Sequence, residues 1–165
     1  MGLIDLIFGR KKVFNHPYLG NFTSQRIKSN NSLKTYYWIG DTCLVNNNGD
    51  EFATSLFING NTNSPYNNQL SFISELVQNW KNDYFLKIEE EINTQGFSKK
   101  EELKNWENEF YLSAIYANNA KALDFELTLE SIHFELNLKS THNVNYPTIS
   151  VTVKNAIISK VDLYT

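Results

Sequence analysis

Leu70-Ser71-Phe72-Ile73-Ser74-Glu75-Leu76-Val77-Gln78-Asn79-Trp80-Lys81-Asn82-Asp83-Tyr84-Phe85-Leu86-Lys87-Ile88-Glu89-Glu90-Glu91-Ile92 is the stretch that decides the fold. Leu70, Ile73, Leu76 or Val77, Trp80, Tyr84, Ile88 and Ile92 recur at steps of three and four, the spacing of one face of an α-helix. The periodicity predicts a helix over 67–95, with Pro65 ahead of it and Gly96 to close it. About 28 residues at roughly 1.5 Å each give about 40 Å, against a radius of gyration near 15 Å for a domain of this size. Such a helix has to cross the whole domain, with Leu76 and Trp80 on the stripe that faces a sheet. Ser98-Lys99-Lys100-Glu101 then matches a capping box, which predicts a second short helix to about Trp106.

On both sides of this stretch the apolar period falls to two. Upstream, Leu33, Thr35, Tyr37 and Ile39 alternate with Lys34, Tyr36 and Trp38, the mark of a strand with two faces. Setting Tyr37 inward turns Tyr36 and Trp38 outward or under another element. Cys43-Leu44-Val45 leads into Asn46-Asn47-Asn48-Gly49-Asp50, and Phe52, Thr54, Leu56 and Ile58 alternate beyond it. Asn and Gly tolerate positive φ, so Val45 to Phe52 reads as a hairpin around Asn48-Gly49. Downstream, Leu112, Ala114 and Tyr116 oppose Tyr111, Ser113 and Ile115. Leu123, Phe125, Leu127 and Leu129 alternate next, and the apolar phase then moves to Ile132, Phe134, Leu136 and Leu138. A two-residue period changes phase only through an extra residue, so a bulge or tight turn is expected at Glu130-Ser131. Ile149, Val151 and Val153 pair through Lys154-Asn155 with Ile157, Val161 and Leu163.

The expected fold class is therefore α+β: mostly antiparallel β-sheet packed against one long central helix and a second short helix. One domain spans 1–165. Within it, 1–12 is a short amphipathic segment, 13–58 is β-rich, 67–106 helical and 110–165 β-rich. The length of 165 residues fits one domain with one core. Hydrophobic residues make up 41% and aromatics 14%, which excludes a disordered chain. A single cysteine excludes a disulfide framework and an all-cysteine zinc site. The net charge of −3 argues against a protein that coats nucleic acid, because phosphate binding needs a basic footprint. No run of apolar residues is long enough for a membrane-spanning helix. Leu3, Ile4, Ile7 and Phe8 sit at helical spacing ahead of Arg10, Lys11 and Lys12. A secretory signal has the reverse order, so this segment is expected to dock as a helical turn on the domain's own core, in a cytoplasmic protein.

Few residues suit catalysis. A hydrolase needs a nucleophile beside a base. Cys43, the sole thiol, lies in an apolar strand segment and reads as a buried structural residue. His133 and Glu135 share one strand face, two residues apart, and with His142 are the candidates for a metal-dependent hydrolase. His16, before Pro17, reads as a turn residue. Glu89, Glu90 and Glu91 fan around a helix and cannot converge on one ion, but they offer an acidic patch to a basic partner. No phosphate loop, dinucleotide fingerprint or zinc-finger spacing occurs, and no cofactor or metal is expected.

The order of short motifs carries a resemblance. His16-Pro17-Tyr18-Leu19-Gly20-Asn21-Phe22 is followed by Tyr37-Trp38-Ile39-Gly40, the Asn-Gly hairpin, and Phe57-Ile58-Asn59-Gly60. After them come the helix, Trp106, the strands from Tyr111 and a closing hairpin. This resembles a group of small bacterial domains of unknown function with a His-Pro-x-x-Gly and Trp-x-Gly pattern. Some of these look like immunity proteins of polymorphic toxin systems. Leu19 departs from the aromatic usual there, and Asn155-Ala156 departs from Asn-Gly in the closing hairpin. The resemblance implies a non-enzymatic protein that binds and neutralises a cognate secreted toxin by occluding it, and it supplies no catalytic residues. Tyr36, Trp38 and Asp41 are the expected partner-binding anchors, with Glu89 and Glu90 as steering charges. A structural or adaptor subunit of a secretion or phage-like assembly is the alternative.

Overall fold

The alternating segments pair into one sheet. The computed structural model describes residues 11–26, 36–46, 49–117 and 133–164. The strands are β1 (Val13–His16), β2 (Gly20–Arg26), β3 (Tyr36–Val45), β4 (Glu51–Gly60), β5 (Phe110–Ala117), β6 (His133–Ser140), β7 (Thr148–Lys154) and β8 (Ile157–Tyr164). They lie side by side in sequence order. Every pairing is antiparallel except β4 with β5, which is parallel. A parallel pair needs a crossover, and the helical segment supplies it. Asn46 fixes the β3–β4 hairpin: its side-chain Oδ1 accepts the Asp50 N–H at 2.9 Å, and Gly49 sits at φ 90.

The helical segment corrects the sequence reading. There is no long central helix. The segment divides into α1 (Asn67–Gln78), a π-helical turn (Trp80–Tyr84) and α2 (Phe85–Thr94), and Asn79 leaves helical geometry at φ −103, ψ 14. The short helix expected to run to Trp106 is instead two 3-10 turns, Phe97–Lys99 and Glu101–Leu103, and one four-residue turn α3 (Trp106–Glu109). No capping box forms at Ser98, because Lys100 is extended there and the turn carries no side-chain cap. Gly96 does close α2, at φ 72. Helix accounts for only about 29% of the described residues, so the protein is mostly β: an eight-stranded mixed sheet with short helices.

The break has a physical cause that the spacing itself contains. Leu76, Trp80, Tyr84, Ile88 and Ile92 follow one another at four uniform steps of four. At 100° per residue each such step overshoots by about 40°, so on an unbroken α-helix the stripe would rotate about 160° away from the sheet. A π-turn winds wider than an α-turn and takes up part of the excess. All five side chains are consequently buried, from 0% exposed at Leu76 to 6% at Trp80.

The core lies on one face of the sheet. A cross-strand row of Gly40, Leu56, Ile115, Leu136, Val151 and Val161 runs through matched register from β3 to β8. Its side chains are buried in a single cluster with the helix stripe. Phe72 from α1 stacks on Phe134 at 4.2 Å, and Phe85 from α2 stacks on Trp106 at 4.8 Å. Trp38 points into this core, so Tyr37 and Ile39 take the opposite face, the reverse of the phase expected from sequence. In β5 the register shifts between Leu112 and Ala114. This bulge returns Ile115 and Ala117 to the core and puts Tyr116 on the other face. Leu33 and Thr35, the strand Leu123 to Leu129, the bulge at Glu130-Ser131 and the amphipathic run Leu3 to Phe8 lie outside the described residues.

Candidate functional site

The motifs of the resemblance first resolve into packing. His16 is the acceptor of the β1–β2 turn: its Nδ1 receives the N–H of Leu19 at 3.2 Å and, at 3.4 Å, that of Tyr18. Pro17 has no N–H to place, Leu19 plugs the core and Gly20 adopts φ 79. Gly40 lets Phe22 lie flat against the strand, since a Cβ there would come 2.8 Å from the Phe22 ring. Gly60 does the same for Trp38, whose ring carbon Cδ1 and indole Nε1 would each stand 2.6 Å from an added Cβ. The indole N–H donates to the Asn61 carbonyl at 3.2 Å, and Phe14 meets the ring edge-on. His-Pro-x-x-Gly, Trp-x-Gly and Asn59-Gly60 thus build one corner of the core.

This placement separates the five residues expected to bind a partner. Trp38 is fully buried and offers no surface, and Tyr36 is half-buried against the same core. Asp41 is exposed on the opposite face of β3, where its Oδ1 accepts the Ser55 hydroxyl at 2.8 Å. Glu89 and Glu90 sit on α2, half-buried and exposed respectively. That helix packs against β8, and β8 lies five strand positions from β3. At about 4.8 Å per strand the two sets stand roughly 24 Å apart across the sheet, so they do not form one patch.

The face opposite the core does bring residues together. One row in register reads Thr23, Ile39, Phe57, Tyr116, Glu135, Thr152 and Lys160, from β2 to β8. Its centre is apolar and aromatic: Phe57 and Tyr116 stack at 4.6 Å, their rings nearly parallel at 10°. The neighbouring row reads Asp41, Ser55, Ala114, Asn137, Ser150 and Asp162. Side chains in facing register share one face, so an aromatic strip runs beside a polar strip. Three carboxylates punctuate it. Asp41 holds Ser55, Glu135 accepts the Ser150 hydroxyl at 3.1 Å, and Asp162 pairs with Lys160 at 2.8 Å. Ile39, Phe57 and Tyr116 are half-buried and belong to no core cluster. The sequence reading missed them because it gave Tyr37 the inward phase and had no sight of the β5 bulge.

The catalytic candidates stay dispersed. Cys43, expected to be buried, is exposed on the outer face of β3. Glu135 is engaged by Ser150, His133 pairs across β6–β7 with Lys154, and His142 is exposed in the turn after β6. Among the described residues no three His, Cys, Asp or Glu side chains gather where they could hold a metal ion. No helix among them is long and apolar enough to cross a membrane. Compared with known proteins, the chain matches no family model, no curated protein and no solved structure.

Proposed function

We propose that the chain is a binding protein: a cytoplasmic immunity protein that neutralises a cognate secreted antibacterial toxin by stoichiometric occlusion, with no catalytic step of its own. The observation that carries the reading is the outer-face strip of Ile39, Phe57 and Tyr116, bordered by Asp41 and Glu135. Aromatic side chains beside polar groups are the composition of interface hot spots. The anchor role expected for Trp38 passes to Phe57 and Tyr116, and Asp41 keeps its place beside them. Carboxylates on the rim favour a basic partner surface and speed its approach. An occluding interface of ordinary size needs roughly 800 Å² on each side. The resemblance of the motif order to small bacterial domains of unknown function, some of which look like immunity proteins, points to the same class.

Co-expression tests it. The secreted toxin encoded beside this chain should arrest growth alone and be tolerated when the chain is present, and the two should co-purify at one to one. Protection at strongly sub-stoichiometric amounts would mean enzymatic inactivation and would overturn the reading.

A further inference from the structure

The apolar row of the outer face runs on to the β1 edge of the sheet. Val13 pairs with Thr23, Thr23 with Ile39, Ile39 with Phe57 and Phe57 with Tyr116, so all five share one face. Val13 is 69% exposed. The row is one side chain wide: Asp41 and Ser55 flank it on one side, and Gln25, Tyr37 and Asn59 on the other. The described chain starts at Lys11, two residues ahead of Val13. Its path there is fixed. Lys12 donates its N–H to the Ser24 hydroxyl at 2.8 Å, accepts the Ser24 N–H at 2.8 Å, and donates from its ammonium to Asn63 Oδ1 at 3.3 Å. Shortly ahead in the sequence stand Leu3, Ile4, Ile7 and Phe8, one apolar stripe at helical spacing. The core face has no room for that stripe, since Phe22, Trp38 and Ile58 are already fully buried under the helices.

We propose that the chain's own residues 3–8 occupy this row, folding back from Lys11 across the outer face of β2 to β4. Reach and width agree. At about 1.5 Å per helical residue, Phe8 and Leu3 lie roughly 5 and 12 Å from Lys11. At about 4.8 Å per strand, β2, β3 and β4 lie roughly 5, 10 and 14 Å from β1. Ile7 and Phe8 therefore come over Thr23, and Leu3 and Ile4 come over Ile39 and Phe57. One stripe meets one row, and each takes the other's apolar surface out of water. Tyr116 and Glu135 lie beyond this reach and stay open. The placement stands without the docking reading. One consequence rests on that reading: a toxin that docks on the same strip must first displace the segment, so the strip is guarded until its cognate partner arrives.

A nitroxide on the native Cys43, exposed on the outer face of β3, tests the placement in the full chain by NMR. In Cys43→Ala with Ser71→Cys the label moves to an exposed position on α1, across the sheet. The amide signals of residues 3–8 should broaden under the Cys43 label, and clearly less under the Ser71 one. Leu3→Asp with Ile7→Asp should abolish that broadening and shift the signals of Ile39 and Phe57, while the rest of the spectrum remains that of the folded chain. Signals that stay sharp under the Cys43 label, stronger broadening from α1, or broadening indifferent to the two aspartates overturns the proposal. The cognate toxin separates this placement from the docking reading. Its affinity for the Leu3→Asp with Ile7→Asp chain should rise several fold, by the inverse of the fraction of time the strip stands uncovered in the parent. An unchanged affinity with the broadening as expected supports the placement and overturns docking through the strip.

Discussion

Gly60→Ala is the sharpest perturbation of the core corner. The new methyl would stand 2.6 Å from Cδ1 and Nε1 of Trp38 and closer still to the Ser64 carbonyl. Real contacts of that kind do not occur, so the indole or the turn must move. Trp38 is fully buried and held by the bond to Asn61, so it has no free volume to move into. Overpacking of a core costs about 1–3 kcal/mol. Losing the indole hydrogen bond adds about 1 kcal/mol. The sum is about 2–4 kcal/mol. With a urea slope near 2 kcal/mol/M, the unfolding midpoint should fall by about 1–2 M, followed by tryptophan fluorescence. Gly49→Ala is the control. An added Cβ there meets nothing within 4 Å, and its cost is only the backbone strain of φ 90, about 1–2 kcal/mol. If Gly60→Ala loses no more than Gly49→Ala, the seat assigned to Trp38 is wrong.

Truncation of the helix stripe should be costly: Leu76→Ala and Trp80→Ala each remove a buried side chain and should lose about 2–5 kcal/mol in denaturant unfolding. A midpoint shift typical of a surface change would mean that the π-turn phase is misassigned. In the β7–β8 turn, Asn155 and Ala156 both have positive φ, 50 and 62. Ala156→Gly should relieve left-handed strain and raise stability by up to about 1 kcal/mol, and a loss on substitution would refute that strain. Burial lowers the His16 pKa below the ordinary 6.5, and Nδ1 must stay unprotonated to accept two N–H groups. The unfolded chain therefore takes up the proton first, so the turn's contribution is complete above pH 6.5 and is lost as pH falls through the folded value. His16→Asn, which keeps an acceptor, should flatten the pH dependence of the melt between pH 5 and 7; an unchanged slope would remove His16 from it.

Much of this was written plainly in local sequence. Asn-Gly chemistry at Asn48-Gly49 located the β3–β4 hairpin, and the burial of Phe134, Leu136 and Leu138 follows their alternation. The helix stripe named its buried residues correctly while hiding its own break, because steps of four fit a helix locally and fail only when summed over five residues. Strand phase was the weaker signal. In Tyr36 to Gly40 both faces carry large apolar side chains, so alternation alone does not say which is inward. What decides it is Gly60, some twenty residues downstream, which opens a seat for Trp38 and none for Tyr37. The outer-face strip depends on register across four strands, β3 to β6, and on the bulge in β5, and no window of sequence contains either. The parallel step between β4 and β5 likewise follows from where the crossover lands, not from the residues of either strand.

Titration calorimetry of the proposed cognate toxin, expected as a secreted protein encoded beside this chain, against outer-face and helix variants, is the most direct test of the proposed docking through the sheet. Phe57→Lys should abolish the one-to-one complex, or weaken it by at least a hundredfold, in a variant whose melt shows it folded. Glu89→Lys with Glu90→Lys, far across the sheet on α2, should leave the affinity within a few fold of the parent. Full affinity in Phe57→Lys, with loss in the Glu89 and Glu90 variant, would contradict docking through this face.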